Sequence, residues 1–170
     1  MRSLASLLAV KVAGDADVSQ QYVEQAGAIC YRRTKKGIEV LLIGSLRNGR
    51  WGIPKGGIED GETSWQAAAR EAFEESGARG ECQSTKIGVF HYAKATKPLP
   101  CRVHVHLMPI RSMEKDFPEQ GRRALKWSTT KQATELAWNP ELQAILRKVP
   151  LVLADTASVS GGGISWKSPS

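Results

Sequence analysis

Cysteine is nearly absent: Cys30, Cys82 and Cys101 are the only three in 170 residues. An odd count without metal-type spacing removes the support for a disulfide framework or a zinc scaffold, and it fits reduced thiols in a cytoplasmic protein. Nothing in the sequence around them activates a thiolate, so cysteine nucleophilic chemistry is not expected. Long apolar runs are missing as well. The stretch from Leu4 to Ala13 is broken by Lys11 and too short to span a bilayer, so no membrane partner is expected, and the unpaired cysteines argue against export. Histidine is limited to three residues; His104 and His106 share a strand face, but no further ligand stands at zinc spacing. No internal repeat is present. What is left suits one compact domain, because 170 residues with 41% hydrophobic content can bury a sizeable core.

Acids are the next shortage, with 17 Asp and Glu against 24 Lys and Arg and a net charge of +7. From Cys82 to Met113 there is no acid against five Lys and Arg. Residues 25–58 carry Arg32, Arg33, Lys35, Lys36, Arg47, Arg50 and Lys55 against the lone Glu39. The acids concentrate between Glu59 and Glu81, where seven stand against only Arg70 and Arg79. A local acidic patch in a basic surround is the layout a metal-bridged polyanion requires. Carboxylates hold the cations, and Lys and Arg bind the remaining phosphates.

The acidic segment reads Gly56-x5-Glu62-x7-Arg70-Glu71-Ala72-x-Glu74-Glu75-x-Gly77-Ala78. Capping side chains at Glu62, Thr63 and Ser64, with Thr63 and Gln66 at capping-box spacing, predict a helix start, and Gly77 predicts its end. At about 3.6 residues per turn, Glu71 lies one turn before Glu74 and Glu75, so the three carboxylates can reach one point at the helix surface. Like charges that close repel; a divalent ion with oxygen preference, Mg2+ or Mn2+, turns the repulsion into coordination. Trp65, Ala68, Ala69, Ala72 and Phe73 form the apolar stripe expected to face a core, with the carboxylates outward. Ahead of the helix, Pro54-Lys55-Gly56-Gly57 is a turn where backbone can approach a ligand, and a carbonyl there can complete a metal shell.

Around this helix the pattern alternates. Residues 25–32 and 38–45 read as strands of a hairpin across the polar turn from Thr34 to Gly37, and Trp51 to Pro54 as a short extended lead. Residues 84–94 and 101–111 are β-rich runs separated by Lys97-Pro98-Leu99-Pro100. Leu125 to Trp127 reads as a short strand, Ser128 as the cap of a helix over 129–137, and Asn139-Pro140 as the opening of a last helix to about Lys148. This divides the chain into an N-terminal extension over 1–22, a domain over 23–150 and a flexible tail over 151–170, rich in Ser and Gly from residue 155. Nothing in the sequence sets an oligomeric state.

The acidic segment resembles the Nudix box, G-x5-E-x7-R-E-U-x-E-E-x-G-U, at every charged and glycine position. Ala72 and Ala78 are smaller than the bulky aliphatic residues usual at the two U positions. With the order of elements, the resemblance extends from about Gln25 to Lys148 and implies the Nudix fold, an α/β (α+β) architecture with a mixed β-sheet sandwiched between α-helices. Within that family, residues 25–32, residues 51–57 (Trp-Gly-Ile-Pro-Lys-Gly-Gly), and Gly121-Arg122-Arg123 with Trp127 look closest to the diadenosine and diphosphoinositol polyphosphate hydrolases.

The resemblance implies metal-dependent hydrolysis of a phosphoanhydride bond in a small-molecule nucleoside or inositol polyphosphate. Diadenosine and diphosphoinositol polyphosphates lead as substrates. Pyrophosphate removal from an RNA 5′ end, or nucleoside triphosphate pyrophosphohydrolysis, is the alternative. Outside enzymes, the pI near 9.5 suits a nucleotide or RNA sensor that keeps the fold, but such a sensor would have lost box glutamates and none is lost here. The implied roles make Glu71, Glu74 and Glu75 catalytic, with Gly56 and these three as metal ligands. Glu74 and Glu75 are the principal ligands and Glu71 serves as ligand or base. Glu62 and Arg70 pair to brace the loop against the helix. A further acid from outside the box is taken from Glu114, Asp116 and Glu119. The matching basic positions for substrate phosphates are Arg32, Arg47, Lys55, Arg102 and Arg122.

Overall fold

The structure is a computed structural model and describes residues 20–159. Most of the 1–22 extension, including Leu4 to Ala13, and residues 160–170 lie outside the described residues. Two long strands carry the architecture. β1 (Val23–Thr34) and β7 (Cys101–Met113) run parallel, in register from Val23 with Cys101 to Tyr31 with Pro109. Antiparallel partners extend this pair on both sides. β2 (Gly37–Gly44) folds back on β1 at the predicted hairpin, and β3 (Trp51–Gly52) and β8 (Leu125–Thr129) join β2. β5 (Ala78–Gly80) and β6 (Lys86–Tyr92) line the far edge of β7.

Side chains alternate across β1 and so feed two cores. Ala26, Ala28 and Cys30 meet Ala67, Ala68 and Ala72 of α1 (Ser64–Ser76) on one face. Small residues on both sides let this helix lie close to the sheet, which is why alanine serves at position 72. On the other face, Ile29 and Tyr31 join Leu42, Phe90 and Val105 beneath α2 (Thr130–Leu136) and α3 (Pro140–Val159). Leu142, Ile145, Leu146, Val149 and Leu153 of α3 follow helical spacing and are all buried. Each such side chain contributes about 1.5–3 kcal/mol on burial. The mixed sheet thus lies between helices, as the resemblance implied.

Three local expectations need correction, and one short strand was not foreseen. Trp65 is 37% exposed and Phe73 is covered by the Arg79 guanidinium rather than by the core, whereas Glu75 is buried; the inward face of α1 is therefore Ala67, Ala68, Ala72, Glu75 and Ser76. Ser128 is a buried residue of β8; the cap of α2 is Thr129, which accepts from the Gln132 amide in a capping box. The last helix does not end near Lys148 but runs through Pro150 to Val159, so residues 151–159 are helix, not tail. Leu153, packed in the core beyond the proline, holds that continuation. β5, three residues long, is too short to carry a periodic signal.

One topological feature places the site. β1 pairs with β2 through Tyr31–Thr34 but with β4 (Lys55–Gly57) through Gln25–Gly27, on the same edge. β2 and β4 therefore part company along β1, and the opening between them lies under the C-terminal half of α1.

Candidate active site

The predicted capping box is formed: Thr63 accepts from the Gln66 amide, and the Gln66 side chain accepts from the Thr63 amide. Gly77 closes the helix at φ 76°, with its N–H donating to the Phe73 carbonyl. Between these ends, Glu71, Glu74 and Glu75 face a cleft of about 530 Å³ that also takes in Gln25, Gly56 and Gly57. The same cleft is lined by the cationic Arg47, Lys55, Lys94, Lys97 and Arg123. Acidic centre and basic surround thus meet in one cavity.

The three box carboxylates occupy different settings. Glu74 is 38% exposed at its side chain, Glu71 13% and Glu75 8%. Burial raises the Glu71 carboxyl above its ordinary value against the pull of Arg70, and the like charges of Glu74 and Glu119 add to it. Glu75 is pushed up to about 7, again by burial, with Arg123 and Lys55 opposing. Burial in turn pulls the Lys55 ammonium down. Groups whose proton affinity is moved this way within a cleft are suited to exchange protons near neutral pH.

Arg70 organises the near side. Its Nε and Nη2 donate to the two oxygens of Glu62 at 2.8 and 2.9 Å, and Nη2 also donates to the Gly57 carbonyl at 2.8 Å. Nη1 donates to Glu71 at 2.8 Å and Glu74 at 3.3 Å. Arg70 and Glu62 therefore tie the loop to the helix, and the guanidinium keeps Glu62 ionised below the usual carboxylate range. On the far side, the Arg123 Nη2 donates to Glu75 at 3.3 Å, while the Lys55 amide donates to the other Glu75 oxygen at 3.3 Å.

Among the described residues, no three acids already converge as a closed metal shell. The expectation that Glu71, Glu74 and Glu75 reach one point is thus not met directly; Arg70 Nη1 bridges Glu71 and Glu74, while Glu75 is held by Arg123 and the Lys55 amide. The donor chemistry still fits a hard divalent cation, since every candidate ligand is an oxygen. Gly56 shows how tightly the group is assembled. A Cβ there would lie 2.2 Å from the Glu71 carboxyl, so only glycine lets the carboxylate reach this backbone.

The cleft sorts the remaining sequence candidates. It contains Arg47 and Lys55. Arg32 lies elsewhere, its Nε donating to Glu39 at 2.8 Å and its guanidinium 4.1 Å from the Trp127 ring. It is five positions along β1 from Gly27, about 16 Å at the usual strand rise. Arg102 is held by Glu24 through both Nε and Nη2 and stacks over Tyr22. Arg122 points outward to Glu119, and its neighbour Arg123 faces the site instead. Of the three further acids, Glu119 lines the cleft, docked by its own amide on the Glu74 carbonyl at 3.0 Å. Lys94 and Lys97 also line it. The acid-free run over 82–113 was their signal in the sequence, whereas nothing in the sequence separated Arg123 from Arg122.

The two strand histidines are already committed. His104 Nε2 meets Glu24 at 2.6 Å, and His106 lies between the Ser64 hydroxyl and the Gln83 carbonyl, each at 2.8 Å. A second cavity of about 200 Å³ adjoins the cleft and shares Arg47, Lys55 and Lys94 with it. Tyr92 and Trp138 form its aromatic wall, edge to face at 6.0 Å between ring centroids, with the Lys55 ammonium 4.6 Å from the Tyr92 ring. The three cysteines are free and buried. No helix among the described residues is long and apolar enough to cross a membrane.

Comparison with known proteins places this geometry in context. Residues 22–149 match the family described as NUDIX domain. Nudix hydrolase 12, mitochondrial, of Arabidopsis thaliana is 31% identical over 124 residues, which are 69% of this chain. The match spans 61% of that relative's own length. The asymmetrical bis(5′-nucleosyl)-tetraphosphatase of Caenorhabditis elegans is 31% identical over 140 residues, 78% of this chain and 97% of that protein. A crystal structure of a C. elegans Ap4A hydrolase binary complex superposes with a TM-score of 0.67 at 29% identity, covering 78% of this chain and 98% of the other.

Proposed function

Because this chain belongs to the NUDIX domain family, we propose that it is a pyrophosphohydrolase that cleaves a phosphoanhydride bond of a nucleoside polyphosphate with the help of Mg2+ or Mn2+. The observation that carries the reading is the single cleft that Glu71, Glu74 and Glu75 share with Arg47, Lys55, Lys94 and Lys97. A polyphosphate needs both sets: cations for its oxygens, and acids beside the scissile phosphorus. The adjoining cavity favours a substrate carrying a base. Tyr92 and Trp138 line it with aromatic surface against which a planar base can pack. A diphosphoinositol polyphosphate is the second reading, supported by the number of cations in the same cleft.

In the working site, Glu71, Glu74, Glu75 and the Gly56 carbonyl would hold the divalent ion. The ion would neutralise phosphate oxygens and acidify a water. Lys94 and Lys97, on the loop between β6 and β7, bind the distal phosphates, and Arg47 binds them from the end of β2. Lys55 lies between the two cavities and orients the phosphate next to the base. Glu71, whose carboxyl lies against the Gly56 backbone in the same cleft, serves as ligand or as the base that accepts the proton of the attacking water. The free, buried cysteines suit a reducing cytoplasmic setting.

A product-mass screen tests the reading across diadenosine polyphosphates, nucleoside triphosphates, diphosphoinositol polyphosphates, ADP-ribose and triphosphorylated RNA, each with Mg2+, with Mn2+ and with chelator. Turnover highest on the dinucleoside polyphosphates, and lost on chelation, is the expected result. A preference for inositol pyrophosphates or RNA 5′ ends would overturn the substrate, and turnover in chelator would overturn the metal.

A further inference from the structure

The Arg123 side chain lines the cleft yet offers it little. Only 13% of it is exposed; both Nη atoms donate to protein oxygens, while Nε is buried without a hydrogen bond among the described residues, within ion-pair distance of Glu119. Nη2 donates to Glu75 at 3.3 Å, Nη1 donates to the Gly44 carbonyl at 3.4 Å, and Nε lies 3.5 Å from Glu119. These partners belong to three separate elements: α1, the end of β2, and the loop ahead of β8. The backbone beside the arginine is fixed as well. The Gly44 amide donates to the Ala124 carbonyl at 2.9 Å, and the Arg122 amide to the Glu119 carbonyl at 3.0 Å.

We infer that Arg123 is a positioning residue of the hydrolase proposed above. It clamps Glu75 and Glu119 into the cleft from behind rather than binding substrate phosphate. Three observations support this. Glu75 is the most buried of the box carboxylates, and Arg123 is the only guanidinium among the described residues that forms an ion pair with it. Its second oxygen is taken by the Lys55 amide at 3.3 Å, so the carboxyl is fixed at both ends. Phosphate-binding side chains need free donors on the cleft surface, and those are present on Lys94, Lys97 and Arg47, not here. The inference rests on the hydrolase reading for its kinetic consequence, but the Arg123–Glu75 pair is also measurable without turnover.

The test combines Arg123→Ala, Arg123→Lys, Glu75→Gln and the double variant Arg123→Ala/Glu75→Gln. In chelator, Arg123→Ala is expected to lower Tm by about 5 °C or more, because it leaves a buried carboxylate without its partner. Adding Glu75→Gln should restore most of that loss, since the buried charge is gone. With the polyphosphate turned over best by the wild type, Arg123→Ala should lower kcat about 10- to 100-fold with KM within about twofold, and Arg123→Lys should recover part of kcat. The cost in kcat should vanish in the Glu75→Gln background, the mark of one residue acting through another. Additive effects on Tm and kcat would overturn the inference. So would a KM that climbs with phosphate-chain length at constant kcat, which would make Arg123 a substrate contact. A wild type inert toward every polyphosphate would refute the hydrolase reading, and the Tm cycle in chelator would still decide whether the clamp exists.

Discussion

Gly56→Ala separates the catalytic geometry from the stability of the fold. Gly56 is not among the glycines with positive φ, so its backbone accepts an L-residue without strain, and it lies in a short strand paired to β1. The obstacle is the Glu71 carboxyl. The added Cβ would meet its Cδ and Oε1 at 2.2 Å and its Oε2 at 2.5 Å. Ordinary contact begins near 3.4 Å, so the carboxyl must retreat by roughly 1 Å. It is the end of a flexible side chain and can move at little cost; stability should change by less than about 1 kcal/mol. A retreat of that size in a reacting constellation costs about 100-fold in rate, or about 2.7 kcal/mol. Gly77→Ala is the control with the opposite profile. Its φ is 76° and the new Cβ would lie 2.4 Å from the Glu114 backbone carbonyl, so the fold itself must give. The assay is kcat at saturating Mn2+ and substrate beside Tm in chelator. Full turnover by Gly56→Ala, or unfolding of that variant, would refute the argument that this glycine exists to admit Glu71.

Three further outcomes follow from the same geometry. Lys94→Ala should raise KM for a long polyphosphate about tenfold, whereas Arg32→Ala and Arg122→Ala should leave it within about twofold; equal losses would place the phosphates outside the cleft. Glu74→Gln should reduce kcat by about 1,000-fold with an unchanged circular-dichroism spectrum, and near-normal turnover at saturating Mg2+ would remove Glu74 from the site. Burial holds His106 below its ordinary value of 6.5, so the folded state binds this proton less readily than the unfolded chain. Its contribution to stability is therefore lost as pH falls below about 6.5, and the Tm advantage of wild type over His106→Gln should shrink between about pH 7 and pH 5; a constant difference would mean that the ring titrates as in water.

The parts of this protein that are legible in its sequence are those in which local spacing decides the outcome. The α1 helix is one: its capping box, its glycine stop and the one-turn offset of Glu71 from Glu74 and Glu75 are all properties of a single segment, and each is present in the fold. The hairpin of β1 and β2 and the long β7 are read the same way, from alternation and a polar turn. What failed was orientation. The stripe of apolar residues on α1 was assigned to the core by residue type, yet Trp65 lies outward and Glu75 inward, because the helix rests on Ala67, Ala68 and Ala72. Helical spacing gives the phase of a stripe only when the larger residues win the buried face. A sheet surface of Ala26, Ala28 and Cys30 reverses that preference by leaving no room for a ring.

The basic residues show the second kind of limit. Seven Lys and Arg precede Gly57 from residue 25, and charge alone ranks them equally. Their fate depends on where β1 changes partners. Arg32 lies beside the β2 pairing and finds Glu39 in exact cross-strand register, so its charge is spent on the sheet surface. Lys55 lies in β4, where β1 has exchanged β2 for the glycine strand, and so it faces the opening. Arg122 and Arg123 are separated by still less, a single peptide after the turn at Gly121, yet Arg122 is 60% exposed and Arg123 only 13%. Whether a charged side chain meets an acid or the open cleft depends on its neighbours in space, and cross-strand register, which joins residues far apart in sequence, decides who those neighbours are. Arg102 makes the point most sharply: its pairing with Glu24 crosses the parallel β1–β7 seam, 78 residues apart, and closes off a donor that composition alone would assign to substrate.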